Sequence, residues 1–476
     1  MNLSTLREKH PVFTYRSSAW KINGDDLSLE WEMGTKELKF SPKVTIFKAA
    51  GGASKLAKGE LDNLVFHLGL ADIFSYWKTT CSPEIKISAG FLTADQIAWW
   101  HDLLISGMGQ YFYTNQIDFR PVDFVRLYVT SRGRVYQPTS DQIWENQRVL
   151  IPVGGGQDSA VTLELLSKYH GPENVGAFAM TISKATEVPP ASERLVKTAG
   201  VPRLIKVHRE LDPEIFVLSE KGYLNGHVPF TAYLSFLSVL IARLFGFSEV
   251  AFSNERSSNE ANLEYLRAKI NHQYSKSFEF EQKFREYNLR YLSDLSYLSF
   301  LRPLYELQIT RLFSHMPQYF AQIRSCNVGY KSDSWCGQCP KCLSIFVGLF
   351  PFVKTEQLRQ IFGANLFENE NLIDLTMNVL GLGAGKPFEC IGTFEETVVA
   401  FYLSLKKGQA DPGQSAMRKT PVLLEHFKKN MTILENKLGD LQKLSEKILA
   451  SWDKNNHLPT GYQKVLKNAY AKTNNQ

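Results

Sequence analysis

One short glycine-rich segment has the residue types and the spacing needed to bind a phosphate group. Residues 148–159 read RVLIPVGGGQDS, in which an apolar run is followed by three glycines, a glutamine, an aspartate and a serine. Apolar residues at helical spacing come next, so the pattern predicts a strand, a glycine turn and a helix capped by Asp158 and Ser159. Backbone N–H groups of such a turn converge on an anion, and the helix N-terminus adds positive charge. The predicted phosphate-binding residues are Gly154, Gly155, Gly156, Gln157, Asp158 and Ser159.

Two better-known glycine motifs do not describe this segment. No Gly-Lys-Ser/Thr follows the glycines, so the segment is not a Walker loop. The spacing also differs from the dinucleotide fingerprint. A glycine-rich connection that binds no ligand is the remaining alternative.

Four of the six cysteines form a second group with chemical potential. Cys326, Cys336, Cys339 and Cys342 are separated by nine, two and two residues. Two-residue gaps let neighbouring thiolates face one ion, and four thiolates saturate a tetrahedral zinc. Because no coordination position stays open, such a zinc would be structural. An iron–sulfur cluster and unmetallated thiols are the alternatives.

A polar stretch and two lone cysteines supply further candidates. Residues 252–280 are rich in amide, carboxylate and basic side chains, among them Glu255, His272 and Lys276. Such a stretch suits magnesium ligands or substrate contacts, and a solvated connection is the alternative. Cys390 and Cys81 lie outside the cysteine group, and each needs a lowered pKa to act as a base rather than as a small buried apolar residue.

The elements around these residues alternate between strand and helix from about residue 141. Strands are predicted at Val175 to Ile182, Arg203 to Val207 and Glu249 to Ser253, with helices between them near 191–199 and 229–245. This succession predicts an α/β fold with a doubly wound parallel sheet, which binds ligands at the carboxyl ends of its strands. Asn254 and Glu255 follow one such strand.

The flanking regions have different patterns. Residues up to about 50 suggest strands with turns at Asn23-Gly24 and Gly34, and helices are predicted at 62–77 and 93–108. The many aromatic residues of this half favour a hydrophobic core over a platform for a ligand. After about residue 352 the chain is mainly helical. The predicted domains are an N-terminal α+β domain at 1–140, a central α/β domain at 141–351 and a helical region at 352–476.

Composition restricts the class of protein. A length of 476 residues suggests about three domains. The net charge of +6, from 54 basic and 48 acidic residues, is too small to indicate a nucleic-acid partner. No signal-peptide pattern is visible, and the most apolar stretch, Pro229 to Ala242, is too short to span a bilayer. We therefore expect a cytoplasmic protein without a membrane partner, and the sequence indicates no oligomeric state.

The glycine segment resembles the SGGxDS loop of the PP-loop ATP pyrophosphatase superfamily. The match covers Gly155, Gly156, Asp158 and Ser159, while Gly154 stands where the superfamily usually has serine. The resemblance implies ATP as a substrate, adenylation of a second substrate with release of diphosphate, and magnesium near Asp158. The loop followed by the cysteine pattern also resembles 7-cyano-7-deazaguanine synthase, which supports the fold and the metal but not the substrate.

A longer resemblance spans roughly residues 10 to 400. Several stretches together are similar to the ATP-dependent UDP-N-acetylmuramoyl-L-alanyl-L-glutamate epimerases. The resemblance implies inversion of the terminal L-glutamate of a peptidoglycan precursor, with a UDP-sugar dipeptide and ATP as small-molecule substrates. His272, Lys276, Glu255 and Cys390 are then the candidates for proton transfer or oxyanion stabilisation. The matching stretches are FHLGLADIFSYWKTTCSP, QIAWWHDLLISGMGQYFYTN, VGGGQDS, NGHVPFTAY, SNERSSNEAN, NHQYSKSFEFE, CGQCPKC and KPFECIG.

Three other functions are compatible with parts of this pattern. A nitrile- or amide-forming ligase related to the deazaguanine synthase would need ammonia, and no glutaminase domain is evident. A tRNA-modifying enzyme would call for a basic surface and redox-active cysteines, whereas the paired cysteines here suit a metal. A non-catalytic nucleotide-binding module, with Gly154 in place of serine, would bind ATP without releasing diphosphate.

Overall fold

One large sheet with helices on both faces is the frame of the protein. The computed structural model describes residues 2–138, 147–181, 188–329, 332–410 and 420–473. Ile182, the expected end of a strand, and the predicted boundary at 140/141 lie outside the described residues. The strands are β1 Val12–Asn23, β2 Asp26–Gly34, β3 Lys39–Phe40, β4 Lys43–Ile46, β5 Glu84–Ile87, β6 Arg126–Val129, β7 Val149–Pro152, β8 Val175–Thr181, β9 Arg203–Glu210, β10 Glu249–Phe252, β11 Leu263–Tyr265, β12 Ala268–Ile270 and β13 Ser296–Ser299.

The helices surround this sheet and continue beyond it in the C-terminal part. They are α1 Leu3–Lys9, α2 Ala50–Ala53, α3 Lys58–Trp77, α4 Ala94–Gly107, α5 Gly109–Thr114, α6 Gln157–His170, α7 Pro190–Thr198, α8 Glu214–Glu220, α9 Phe230–Phe245, α10 Phe278–Tyr291, α11 Glu306–Phe313, α12 Pro340–Leu349, α13 Thr355–Phe362, α14 Ile373–Val379, α15 Phe394–Ala410, α16 Val422–Leu438, α17 Leu441–Leu449 and α18 Thr460–Lys472. Within the described ranges no helix is both long enough and apolar enough to cross a membrane.

The sheet joins the central α/β region to the N-terminal strands. Its order is β13-β10-β7-β8-β9-β4-β2-β1-β5-β6, with β3 added to β2. The five strands from β13 to β9 run parallel, as the alternation of strands and helices predicts. Strand β4 then pairs antiparallel with β9, from Lys43 opposite Glu210 to Ile46 opposite Val207. The mixed sheet therefore runs through both regions, and the three domain ranges stay a prediction.

Two hydrophobic cores cover the two faces of the parallel strands. Successive residues of a strand point to opposite faces, and in β7 the side chains of Val149 and Ile151 enter one core while Leu150 enters the other. The first core contains residues of α6, α11 and α12, such as Phe346. The second contains α9 and α3, such as Leu237. A sheet buried on both faces explains the nearly continuous apolar character of β7 and β8.

The strand order creates a crevice beside β7. The chain passes from β7 to β8 and β9 on one side and then crosses to β10 on the other side of β7. Loops that leave the carboxyl ends of β7 and β10 therefore diverge, which is where open α/β sheets bind their ligands. The glycines at 154–156 and the pair Asn254–Glu255 lie at these two strand ends.

The aromatic residues of the N-terminal half form a core, as the sequence favours. Trp77, Trp100 and Tyr111 are almost fully buried, and the Trp100 indole donates a hydrogen bond of 3.0 Å to the Tyr287 hydroxyl. Helix α4 begins with the expected cap, a reciprocal pair of bonds between Thr93 and Gln96. Helix α16 likewise packs apolar residues such as Phe427 and Leu434 into a core.

Candidate active site

The glycine loop, residues 154–159, leads from β7 into the first turn of α6, and Gly154 is its one exposed residue. The amide of Val153 still bonds to Phe178 of β8, at 2.9 Å, and Gly155 then takes a left-handed φ of 89°. Gly156 is the N-cap of α6, and no side chain caps the helix. The expected cap by Asp158 and Ser159 is therefore wrong, because both residues already belong to the first helical turn. The earliest N–H groups of that turn have no partner within the helix and can donate hydrogen bonds to an anion.

Two of the three glycines lie against residues 324–325. The amide of Arg324 donates to the carbonyl of Gly155, whose left-handed φ favours glycine, at 2.8 Å. A Cβ atom on Gly156 would lie 2.7 Å from Ser325 Oγ, so a side chain there would force the Ser325 hydroxyl to move. A Cβ atom on Gly154, in contrast, would meet no described atom within 4 Å. The serine that the PP-loop pattern has at this position would therefore fit, and Gly154 is not needed for packing.

A cavity of about 450 Å³ opens above the loop. One wall is apolar and can cover a flat ring, while the other carries cationic and thiol side chains. The lining includes Gly154, Gly156, Asp158 and Ser159 from the loop, Phe178, Met180, Leu234 and Phe252 from the apolar wall, and Asn254, Lys276, Arg324, Asn327, Lys341 and Cys390 from the polar wall. Lys276 and Cys390 are 114 residues apart, and the structure brings both predicted residues to this cavity.

Asp158 is held in an environment that disfavours its charge. Burial, followed by the nearby Glu255 carboxylate, raises its pKa from 3.8 to about 7, and the charges of Lys341 and Lys276 counteract part of that rise. Among the described residues, Asp158 Oδ1 and Glu255 Oε2 are buried oxygens without a hydrogen-bond partner. Carboxylate oxygens of this kind are hard ligands, so Asp158 suits a hard cation such as magnesium.

Lys276 lies between Cys390 and the two carboxylates. Burial lowers the pKa of its ammonium, but the Cys390 thiol and the Glu255 and Asp158 carboxylates outweigh burial and raise it. Among these neighbours, Cys390 raises the pKa of Lys276 most. Lys276 is therefore protonated at neutral pH, which suits stabilisation of an oxyanion and not removal of a proton.

His272 is not part of the cavity lining, but it lies near Lys276 and is surrounded by polar side chains. Its Nδ1 lies 2.5 Å from Gln110 Oε1, and its ring centroid is 4.2 Å from that of His227. Burial, followed by the charge of Lys276, lowers the pKa of His272 to about 4, so the imidazole is neutral. Because the Gln110 oxygen accepts from Nδ1, the other ring nitrogen, Nε2, keeps a lone pair that can accept a proton.

Glu255 is buried behind the cavity wall rather than in it. Its side chain is 4% exposed, and its backbone carbonyl accepts hydrogen bonds from Arg302 Nη1 and Ser258 Oγ, both at 2.6 Å. This position makes Glu255 an electrostatic neighbour of Asp158 and Lys276. Asn254 does line the cavity, and its amide bonds to Ser299 Oγ at 3.2 Å.

The polar stretch that holds these residues is more ordered than its sequence indicates. Strands β11 and β12 form a hairpin inside it, with Leu266 and Arg267 in the left-handed region of the turn. Glu260 pairs with Lys386 at 2.5 Å, which ties this stretch to the segment that carries Cys390. Residues 263–270 therefore have regular secondary structure within this stretch.

The four clustered cysteines meet at one point. Their sulfur atoms all lie within 4.8 Å of one another. Backbone amides donate to these sulfurs, from Gly329 to Cys326 at 3.1 Å and from Gln338 to Cys336 at 3.5 Å. The four sulfurs and their amide donors fit a tetrahedral metal such as zinc, which Cys326, Cys336, Cys339 and Cys342 would hold. We call this group the cysteine cluster.

Cys81 does not share this environment. It is fully buried near Tyr111, and burial raises the pKa of its thiol to about 12. A thiol with that pKa stays protonated at neutral pH and cannot serve as a base. The remaining cysteine candidate for proton transfer is Cys390.

Four polar residues of the site are absent from the sequence-based prediction. Lys341 and Arg324 line the cavity, and Gln110 and His227 surround His272. The position of Lys341 inside the cysteine motif is the one signal that a sequence offers for any of them. Gln110 lies 162 residues before His272, so no local pattern connects the two.

Comparison with known proteins identifies similar chains. Residues 4–300 match the family model described as the MurL N-terminal domain, and residues 322–431 match the MurL C-terminal domain. A relative from Xanthomonas oryzae pv. oryzae is 33% identical over 74% of this chain and 76% of its own length. Relatives from Salinispora tropica (31% identical, 87% of either chain) and Micromonospora (30% identical, 78% of this chain and 81% of its own) carry the same name, UDP-N-acetyl-alpha-D-muramoyl-L-alanyl-L-glutamate epimerase. No solved structure matches significantly.

Proposed function

The chain belongs to the MurL family, and we propose that it epimerises the terminal L-glutamate of UDP-MurNAc-L-Ala-L-Glu to D-glutamate. The proposal includes a PP-loop type of adenylating domain, ATP as co-substrate with magnesium, and a cytoplasmic role in peptidoglycan precursor synthesis. One observation carries the mechanism. The glycine loop, Lys276 and Cys390 line a single cavity, so a nucleotide and a reacting carboxyl group can meet there.

Activation of the carboxylate explains why ATP is needed. The hydrogen next to a free carboxylate resists removal, because the resulting carbanion would lie beside an existing negative charge. In the proposed first step, a carboxylate oxygen of the substrate attacks the α-phosphorus of ATP and diphosphate leaves. The mixed anhydride is ester-like, so removal of the α-proton gives an enolate whose charge is delocalised.

The phosphates are assigned to the glycine loop. The first N–H groups of α6 have no side-chain cap and would stabilise the charge of the departing diphosphate. Asp158 would hold magnesium, which supplies positive charge near the reacting phosphate. The apolar wall formed by Phe178, Met180 and Phe252 would cover the adenine ring.

Lys276 and Cys390 are assigned to the reacting carbon. The Lys276 ammonium stabilises the enolate oxygen, since its raised pKa keeps it charged throughout the reaction. Cys390 and the neutral His272 are the two candidates for moving the proton off one face and onto the other. Water then hydrolyses the anhydride, so that AMP and the inverted dipeptide are released.

The test combines isotope exchange with nucleotide analysis. The protein is incubated with ATP, magnesium and UDP-MurNAc-L-Ala-L-Glu in deuterium oxide. We expect AMP, diphosphate and D-glutamate that carries deuterium at the α-carbon. Asp158→Ala should abolish AMP formation, whereas replacing the true base should leave adenylation intact and stop exchange. AMP without α-deuterium would instead favour ligase chemistry, and no AMP with any candidate substrate would contradict an adenylating enzyme.

A further inference from the structure

The cysteine cluster and the glycine loop share one segment of chain. Residues 324–327 enter the cluster at Cys326 and, just before it, run along the loop. The Arg324 amide donates to the Gly155 carbonyl, and a Cβ atom on Gly156 would lie 2.7 Å from Ser325 Oγ. Arg324, Ser325, Cys326 and Asn327 all line the nucleotide cavity. Any movement of the cysteine cluster must therefore also move residues that line the cavity.

The guanidinium of Arg324 helps to fix this segment rather than bind a ligand. Its Nε donates to the carbonyl of Asp333 at 2.9 Å, and its Nη1 donates to the carbonyl of Ile323 at 2.6 Å. Asn327 extends the connection, because its amide donates to Glu389 Oε2 at 2.7 Å. Glu389 precedes Cys390, so the segment that leads into the cluster also contacts the reactive side of the cavity.

A lysine from the cluster motif itself enters the same cavity. Lys341 lies in the first turn of α12, between the cluster residues Cys339 and Cys342. Its ammonium donates to the backbone carbonyl of Cys390. Within the described residues the Lys341 ammonium makes this one hydrogen bond, although an ammonium has three donors. Its charge also acts on Asp158, the loop residue assigned to magnesium.

We infer that Lys341 binds a phosphate group of the nucleotide and that the cysteine cluster, once metallated, positions this lysine and residues 324–327 as one wall of the nucleotide cavity. The inference rests on the proposed use of ATP. It adds a phosphate-binding residue to the site and gives the metal a role beyond folding. Two sides of the nucleotide would then be held by different elements, the glycine loop on one and the cluster on the other.

Thermodynamic reciprocity makes this coupling measurable. If a metallated cluster favours nucleotide binding, bound nucleotide must increase the affinity of the cluster for its metal by the same factor. Zinc affinity is measured by competition with a chelator, with and without the magnesium complex of a non-hydrolysable ATP analogue. In the wild-type protein we expect the analogue to strengthen zinc retention about fivefold or more, which is a common size for such coupling.

The matched variants are Lys341→Met and Lys354→Met. Lys341→Met should bind the analogue roughly tenfold more weakly, because a charged hydrogen bond to phosphate is lost, and it should lose the effect on zinc. The Lys341→Met variant also serves as a control for direct chelation of zinc by the analogue, because that chelation is the same in all samples. Lys354 is exposed and outside the cavity lining, so its variant should behave like the wild type.

A labelling experiment keeps the inference testable if Lys341→Met fails to fold. The wild-type protein is treated with an amine-acylating reagent, and labelling of Lys341 and Lys354 is followed by mass spectrometry. The analogue should protect Lys341 and leave Lys354 unprotected. Binding of the analogue with unchanged zinc affinity, or with Lys341 still labelled, would overturn the inference and leave ATP use intact. No binding of the analogue at all would overturn the proposed function itself.

Discussion

Replacing Asp158 by asparagine should make the ligand-free protein more stable and inactive at the same time. The carboxyl group of Asp158 has a pKa raised from 3.8 to about 7, mainly by burial. Its ionisation therefore costs stability in the folded state. A rise of this size corresponds to about 4 kcal/mol at most. Asp158 lines a cavity in which water screens its charge, so we expect about 1–2 kcal/mol.

The size of this stability difference depends on pH. Below pH 3.8 the carboxyl group is protonated in both the folded and the unfolded protein, so its ionisation does not lower the free energy of unfolding. The cost grows between 3.8 and about 7, where the unfolded chain has ionised and the folded one has not, and it is complete above about 7. The advantage of Asp158→Asn should follow the same curve.

The assay is urea unfolding of the wild type and Asp158→Asn without nucleotide, near pH 4 and near pH 8. The variant should gain about 1–2 kcal/mol near pH 8 and almost nothing near pH 4. Asp123→Asn is the control, because Asp123 is exposed and should change stability little at either pH. The variant should form no AMP, since the amide cannot hold magnesium as a carboxylate does. Equal or lower stability near pH 8 would refute the reasoning.

Three further predictions concern the glycine loop, the cysteine cluster and His272. Gly155→Ala should lose about 1–2 kcal/mol of stability and most AMP formation, because the φ of Gly155 is 89° and a Cβ atom there would lie 3.0 Å from Ala191. Gly154→Ser should keep the stability and the AMP formation of the wild type, because a Cβ atom at Gly154 meets no described atom within 4 Å. Cys339→Ser should lose its zinc and unfold at lower temperature, so a variant that is zinc-free and as stable as the wild type would argue against a structural metal. Gln110→Glu places a carboxylate on His272 and should raise the pKa of that histidine from about 4, which moves the acid limb of the exchange activity to higher pH, while Gln110→Ala should lower activity without that shift. An unchanged acid limb in Gln110→Glu would show that His272 is not the base.

Local sequence patterns predict the parts of the site that depend on neighbouring residues. The cysteine spacing predicts a tetrahedral group because two-residue gaps by themselves bring Cys336, Cys339 and Cys342 together. The glycine loop is recognisable because its strand, its turn and its helix follow one another directly. Thr93 is likewise a correct cap, since a capping box needs only a residue three positions away.

Long-range contacts explain what the sequence does not reveal. The pairing of β4 with β9 joins residues more than 160 positions apart, and no periodicity within either strand encodes its partner. Strand β13 is only four residues long and follows α10 closely, so its apolar pattern is too short to recognise. The same limit hides the contact of Gln110 with His272 and that of Lys341 with Cys390.

The cap of α6 is a different kind of error. Asp158 and Ser159 are common N-cap residues, so their types alone favour a helix that begins after them. The structure starts the helix earlier, at Gln157, with Gly156 as the cap. Because the glycine carries no side chain, no side chain caps the first N–H groups, and Asp158 lies in the first helical turn. This end of the helix departs from what local residue preference favours, which is the kind of departure expected at a functional site, and anion binding there stays a prediction.

The most direct test of the account follows oxygen atoms from the dipeptide to the nucleotide. The terminal α-carboxylate of UDP-MurNAc-L-Ala-L-Glu is labelled with a heavy oxygen isotope, and the AMP formed during turnover is analysed by mass spectrometry. If that carboxylate attacks the α-phosphorus and water later attacks the carbonyl carbon, one labelled oxygen must appear in AMP. AMP that carries no label, while the glutamate is inverted, would contradict activation of the carboxyl group at the glycine loop.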